Sequence, residues 1–221
     1  NFYPDYPQMM LQNGPGWAYP DSSAHLIFAD SLRNHPILPR LSISYRYRDG
    51  MQNINVVQDT AYRSALAIPL EITIYLRDTV IREMRVTEPQ PESLIQLQAS
   101  APPQAVQVDP GRYFPGYIDD KRPDVYNLYQ LSNAQSEEGR IEALSKLLQT
   151  SNANLFSTAL GIAMDDPRAE IRAMALERAG NLNVPARQKL KDTLQKIAQS
   201  DPEPEVRQKA KELVLKYYSQ K

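Results

Sequence analysis

Asp166-Pro167-Arg168-Ala169-Glu170-Ile171-Arg172-Ala173-Met174-Ala175 returns 35 residues later as Asp201-Pro202-Glu203-Pro204-Glu205-Val206-Arg207-Gln208-Lys209-Ala210. Asp, Pro, Glu, an aliphatic residue, Arg and Ala recur in register. A period of this size belongs to stacked helical pairs, in which each unit buries its apolar stripe against the next. The Asp opens a helix, where it accepts hydrogen bonds from first-turn amides and suits the positive end of the dipole. Pro at the first helical position loses no needed donor. Ile171 and Val206 face the neighbouring repeat, and Ala175 and Ala210 are small enough for close approach. Arg172 and Arg207, six residues after the Asp, are placed to reach the Asp of an adjacent turn; as exposed pairs they contribute only ~0.2–1 kcal/mol. A weaker copy lies at Glu138-Gly139-Arg140-Ile141-Glu142-Ala143-Leu144, where Arg140, Ala143 and Leu144 align with Arg172, Ala175 and Leu176 at an offset of 32 residues.

Working outward, helical spacing holds from Pro123 to the end of the chain. The stripes are Val125, Leu128 and Tyr129; Ile141, Leu144, Leu147 and Leu148; Leu155, Phe156, Ala159 and Ala163, with Asn152 or Asn154 near the start; Ile171, Met174, Ala175 and Ala179, ended by Gly180; Ala186, Leu190, Leu194 and Ile197; and Val206, Ala210, Leu213, Val214 and Tyr217. They predict six helices in three antiparallel pairs.

Upstream the period changes to two. Leu41, Ile43, Tyr45 and Tyr47 alternate with Ser42, Ser44, Arg46 and Arg48, and Asp49-Gly50 then marks a short hairpin. Ile54, Val56 and Gln58 alternate with Asn53, Asn55 and Val57; Leu70, Ile72, Ile74 and Leu76 alternate with Glu71, Thr73, Tyr75 and Arg77. A hairpin at Asp78-Thr79 leads to Met84 and Val86, and Leu94–Leu97 and Ala105–Val108 complete six or seven strands. One apolar face per strand and short turns predict an antiparallel β-sandwich. The fold class expected is therefore an all-β domain followed by an all-α domain, the latter a solenoid of about three helical pairs. The expected divisions are a Pro/Tyr-rich arm, or the end of an upstream domain, over 1–38; the sandwich over 39–112; a polar linker over 113–122; and the helical repeats over 123–221. In the arm, only Ala24–Leu32 reads as regular, a short helix capped by Asp21-Ser22-Ser23 or a strand.

The totals exclude several classes. At a net charge of −1 nothing directs the chain to nucleic acid or an anionic membrane. Absence of cysteine excludes disulfides, thiolate catalysis and cysteine-held zinc. No apolar run approaches the roughly 20 residues that span a bilayer. The start at Asn1 lacks a basic or apolar leader and reads as a processed or excised chain. The compartment stays open.

Each candidate constellation has a plainer reading. His25 and His35 lack the third ligand that zinc needs and read as loop histidines. Neighbours in sequence, Asp119-Asp120 and Asp165-Asp166 point apart, and Asp166 has a capping role. Arg46, Arg48, Arg63, Arg77, Arg82 and Arg85 form a basic sheet face or, more simply, the solvated side of alternating strands. Tyr3, Tyr6, Trp17 and Tyr19 suit packing of an arm better than sugar or peptide binding. Lys189, Lys191, Lys196, Lys209, Lys211 and Lys216 read as solvated helix faces. No catalytic, cofactor-binding or metal residue is assigned.

The Asp-Pro…Ile/Val-Arg…Ala pattern resembles HEAT repeats over residues ~123–221. In the β half, Pro39-Arg40-Leu41-Ser42-Ile43-Ser44-Tyr45-Arg46-Tyr47, then Val56-Val57-Gln58, then Ile68-Pro69-Leu70-Glu71-Ile72-Thr73-Ile74, then Val106-Gln107-Val108-Asp109-Pro110, resemble the small β-sandwich that follows the catalytic domain in the aminopeptidase N family of zinc metallopeptidases. In that family a helical, HEAT-like domain comes next. The resemblance carries over no catalytic or metal residue: His-Glu-x-x-His with its downstream Glu, and the Gly-x-Met-Glu-Asn motif, are both absent here. It implies a non-catalytic C-terminal portion whose partner is an upstream catalytic domain, with zinc held by the parent protein and none in this chain. The alternative is a stand-alone interaction scaffold that binds a protein along the helical repeats.

Overall fold

The computed structural model describes residues 38–61, 64–134, 136–180, 182 and 184–218, without the side chain of Ala186. The expected arm, with Ala24–Leu32 and the Tyr/Trp cluster, lies outside them except for Leu38. The chain divides into two units between Pro123 and Asp124.

In the first unit, β1 (Arg40–Arg48) and β2 (Met51–Gln58) form a hairpin with Ile43 opposite Val56. Asp49 and Gly50 both have positive φ, 52° and 75°. That is the turn whose twist matches paired strands, and it favours an Asp-Gly pair. β5 (Glu92–Gln98) pairs antiparallel with β2. β7 (Tyr117–Lys121) completes the sheet, order β5-β2-β1-β7, and runs parallel to β1. The second sheet is antiparallel, order β4-β3-β6, from β3 (Pro69–Tyr75), β4 (Val80–Val86) and β6 (Ala105–Val108). β5 alternates buried Ser93, Ile95 and Leu97 with exposed neighbours. Central β3 buries Leu70, Ile72 and Ile74 and also Thr73, whereas its partner β4 has no buried residue.

Two expectations change here. The stretch 113–122 is not wholly a linker, because Tyr117–Lys121 is a strand. The sheets are also not purely antiparallel, because that strand pairs with β1 in the parallel sense. Its polar sequence satisfies a backbone edge without a buried apolar face.

The joints of this unit are made by polar side chains. The Gln58 side chain, at the end of β2, clasps a backbone. Its Nε2 donates to the Leu66 carbonyl at 2.7 Å, and the Leu66 N–H donates back to Oε1 at 2.9 Å. Buried Thr87 donates to the same carbonyl at 3.1 Å and accepts from Ile68 N–H at 2.9 Å. Gly116 is required by space: a Cβ there would lie 2.3 Å from the Pro39 carbonyl and 2.4 Å from the Phe114 ring.

The second unit holds α1 (Asp124–Asn133), α2 (Glu137–Leu147), α3 (Ala153–Met164), α4 (Ala169–Ala179), α5 (Val184–Lys189), α6 (Lys191–Ser200) and α7 (Pro204–Tyr218). α1 packs on α2, α3 on α4 and α6 on α7, and α1 and α2 meet α3 while α4 meets α7. One core runs through the helices, including Leu144, Leu147, Leu160, Ile171, Leu176, Leu194 and Val206. Ser136 caps α2, accepting from Gly139 N–H, and Asn152 caps α3, accepting from Asn154 and Leu155 N–H.

The helices differ from expectation in three places. There are seven among the described residues rather than six, because the fifth stripe breaks at Leu190, which leaves helical geometry at φ −95°, ψ 0°. Leu190 nevertheless stays buried, in van der Waals reach of Gly161, so its apolar spacing is kept while the backbone turns. Pro167 and Pro202 stand before their helices rather than at the first helical position; in α7 that place is taken by Pro204. Gly180 ends α4 in right-handed geometry, φ −61°. Its carbonyl accepts from the Tyr217 hydroxyl at 3.2 Å.

Candidate functional site

The repeated Asp and Arg residues converge on one ladder inside the helical unit. Asp166 lies in the turn before α4 and Asp201 in the turn before α7, while Arg140, Arg172 and Arg207 occupy matching positions on α2, α4 and α7. Arg140 grips Asp166 through one guanidinium edge, Nε to Oδ2 at 2.7 Å and Nη2 to Oδ1 at 3.2 Å. Arg172 grips Asp201 the same way, at 2.7 and 2.8 Å. Such planar, two-point pairs are the strong form of the charged hydrogen bond.

Each Arg is also tied to its own helix start. Arg172 Nη1 donates to the carbonyls of Asp166 (2.9 Å) and Pro167 (3.0 Å). Arg140 Nη1 donates to those of Ala134 and Ser136. The Asp carboxylates bond locally as well: Asp166 accepts from Arg168 N–H at 2.8 Å and Asp201 from Glu203 N–H at 2.9 Å. This local turn replaces the expected cap on the first helical turn. It explains why each helix begins beyond its Asp-Pro.

These pairs are buried, with Asp166, Arg172 and Asp201 each 6–7% exposed. The surface-pair energy expected from sequence is therefore the wrong scale. Donating its hydrogen bonds to Asp201 lifts the Arg172 guanidinium pKa above its ordinary value against the opposing effect of burial. On Asp201, burial pushes upward, but the Arg172 pair and the Glu203 amide outweigh it, so the carboxyl sits below its ordinary value. Both shifts mark charged groups stabilised by each other.

The β unit holds one carboxylate of unusual character. Asp109, just after β6, has φ 51°, and its oxygens accept from the N–H groups of Tyr113 (2.8 Å) and Phe114 (2.9 Å). Burial dominates over these bonds, and with Glu71 nearby its pKa is pushed up to about 6. Glu71 is itself raised by burial, with Arg82 opposing. An acid whose folded pKa exceeds its unfolded value near 3.9 adds stability as pH falls from 7 toward 5. The β unit should gain about 1 kcal/mol over that window. Denaturant melts at both pH values check this, and the gain should shrink in Asp109→Asn to the part that Glu71 contributes.

The other candidates separate. Asp119 is exposed beside Lys121, while Asp120 is buried against Arg122 on the opposite side of β7. Asp165 is exposed near Lys196 at 3.8 Å, and Asp166 belongs to the ladder. The arginines fall on two sheets: Arg46 and Arg48 on β1, Arg82 and Arg85 on β4. Arg48 pairs with Asp49 and Arg85 with Glu83. Arg77 is exposed in the turn between β3 and β4, and Arg63 lies outside the described residues. Lys209 pairs with Glu177, and Lys191 and Lys216 lie over the rings of Tyr218 and Tyr217. His25, His35 and the Tyr/Trp cluster lie outside the described residues.

Among the described residues no three His, Asp or Glu side chains gather into a group able to hold a metal ion. No helix of them is long and apolar enough to cross a membrane. Sequence reasoning missed the titrating character of Asp109. Its only signal was the Asp-Pro after an apolar strand, a setting for a carboxylate folded back onto local amides.

No family model and no curated protein matches the chain. Among solved structures, the crystal structure of Legionella pneumophila aminopeptidase A in complex with aspartic acid superposes with a TM-score of 0.41 at 11% identity, covering 75% of this chain and 24% of that one. The chain thus spans about a quarter of the length of that structure's chain.

Proposed function

We propose that the chain is the non-catalytic carboxyl-terminal portion of an aminopeptidase N-like zinc metallopeptidase. Its sheets form a β-sandwich spacer, and its helices form a HEAT-like domain that shapes substrate access or assembly. The observation that carries this reading is the fate of the motif residues. Gln58, from Val56-Val57-Gln58, is a backbone clasp. Asp109, from Val108-Asp109-Pro110, closes the loop onto Tyr113 and Phe114. Asp166 and Asp201 are taken up by the arginines of neighbouring helices. Each serves architecture, as a spacer and a helical stack require.

Zinc in this reading belongs to the parent protein, and no residue of this chain is assigned to it. The chain by itself is expected to hold no stoichiometric zinc and to leave aminoacyl-arylamide substrates uncleaved, measured by metal analysis and a chromogenic assay. The coding sequence ahead of Asn1 tests the assignment: an open reading frame containing His-Glu-x-x-His supports it, and a stop codon or unrelated domain overturns it. The alternative, a stand-alone interaction scaffold, is favoured by one observation: among the described residues Arg207 is hydrogen-bonded only through Nη1, to the carbonyls of Asp201 and Pro202.

A further inference from the structure

Arg207 repeats the inner half of the ladder and lacks the outer half. Its Nη1 donates to the carbonyls of Asp201 and Pro202, as Arg172 does to Asp166 and Pro167. On Arg140 and Arg172 the Nε and Nη2 edge then takes the aspartate of the next turn. Among the described residues nothing takes that edge on Arg207, which is only partly buried.

The positions that follow show what would fit. One turn beyond the Arg, α2 has Leu144 and α4 has Leu176, both at most 1% exposed. α7 has exposed Lys211 there. A turn further, Leu147 and Ala179 are buried, while α7 carries partly buried Val214 beside Leu215, which is 65% exposed. A fourth apolar repeat would bury the Lys211 ammonium without a partner, at high cost. A segment bearing carboxylates meets Arg207 and Lys211 together. A second copy stacked head to tail supplies no aspartate at that place, because the place of Asp166 and Asp201 in the first repeat is held by Ala134.

We propose that the Arg207–Lys211 face of α7 docks an acidic, helix-opening segment of a partner protein, whose aspartate takes on Arg207 the place that Asp166 and Asp201 take on Arg140 and Arg172. The inference holds whether or not the chain is part of a peptidase.

The test uses the whole ¹⁵N-labelled chain and, as probe, a synthetic peptide copying residues 191–218, which carries Asp201-Pro202 between two helix-forming segments. The side-chain Nε–H resonance of Arg207, identified by its loss in Arg207→Gln, is followed during titration. A saturable shift is expected, with affinity at least tenfold weaker for the peptide carrying Asp201→Asn and for the Arg207→Gln chain. Should Arg207→Gln misfold, the two peptides against the unaltered chain still decide. No shift at about 1 mM peptide, the weak end of specific binding, overturns the proposal. Equal binding of the Asn peptide, or head-to-tail dimers of the chain in sedimentation, also overturns it.

Discussion

Replacing Arg172 with Ala should lower the stability of the helical unit by about 3–5 kcal/mol, the scale for removing one partner of a buried ion pair. The loss is large because four groups depend on that guanidinium: both Asp201 oxygens and the carbonyls of Asp166 and Pro167. Asp201 would remain, 6% exposed, as an unpaired charge. Urea melts followed by helical ellipticity measure the effect. Arg207→Ala is the contrast. Its side chain is partly exposed and its outer edge meets no described residue, so about 1 kcal/mol or less is expected. Replacing Arg172 and Asp201 together by Leu should cost less than Arg172→Ala, because no charge is then left stranded.

The pH dependence follows from the same pair. The folded pKa of Asp201 lies below its unfolded value. Its stabilisation is therefore complete above the unfolded value near 3.9 and is lost as pH falls through the folded one. The cost of Arg172→Ala should shrink as pH falls into the acid range, where Asp201 takes up a proton and no charge is left stranded. A cost that persists unchanged at acid pH would mean packing, not charge, holds Arg172 in place.

Gln58→Leu should cost the β unit about 1–3 kcal/mol. The substitution keeps bulk but strands the N–H of Leu66 and removes one of the two donors to its carbonyl. Thr87 still donates to the carbonyl, so the stranded N–H carries most of the loss. Asn55→Ala, which removes an exposed bond to Glu92 at 2.9 Å, should change stability by about 0.5 kcal/mol or less. Equal effects of the two substitutions would show that the clasp is no stronger than a surface contact.

The strands that could be read from sequence are those with one buried face. β1, β2 and β5 alternate because apolar side chains enter a core at every second residue. β7 gave no such signal. It is held by its backbone edge on β1, and its Asp119, Asp120, Lys121 run reads as solvent-exposed chain. The break at Leu190 was hidden for the opposite reason: the buried spacing continues through it while the backbone leaves the helix.

The ladder was half legible. Spacing alone put Arg172 within reach of an Asp on an adjacent turn, which is where Asp201 lies. Burial is a property of the surrounding helices and does not follow from spacing, so the energy scale of the pair could not be read. The same holds for Asp109, whose raised pKa comes from enclosure and from Glu71, 38 residues away in sequence.

The claim on which the rest depends is that Arg–Asp pairs lock successive helical pairs to one another. A double-mutant cycle on Arg172 and Asp201, with Ala at each position, measures it most directly. A coupling energy of about 2 kcal/mol or more is expected at pH 7, against a surface-pair scale of about 0.2–1 kcal/mol. Additive single effects, with coupling below about 0.5 kcal/mol, would contradict it.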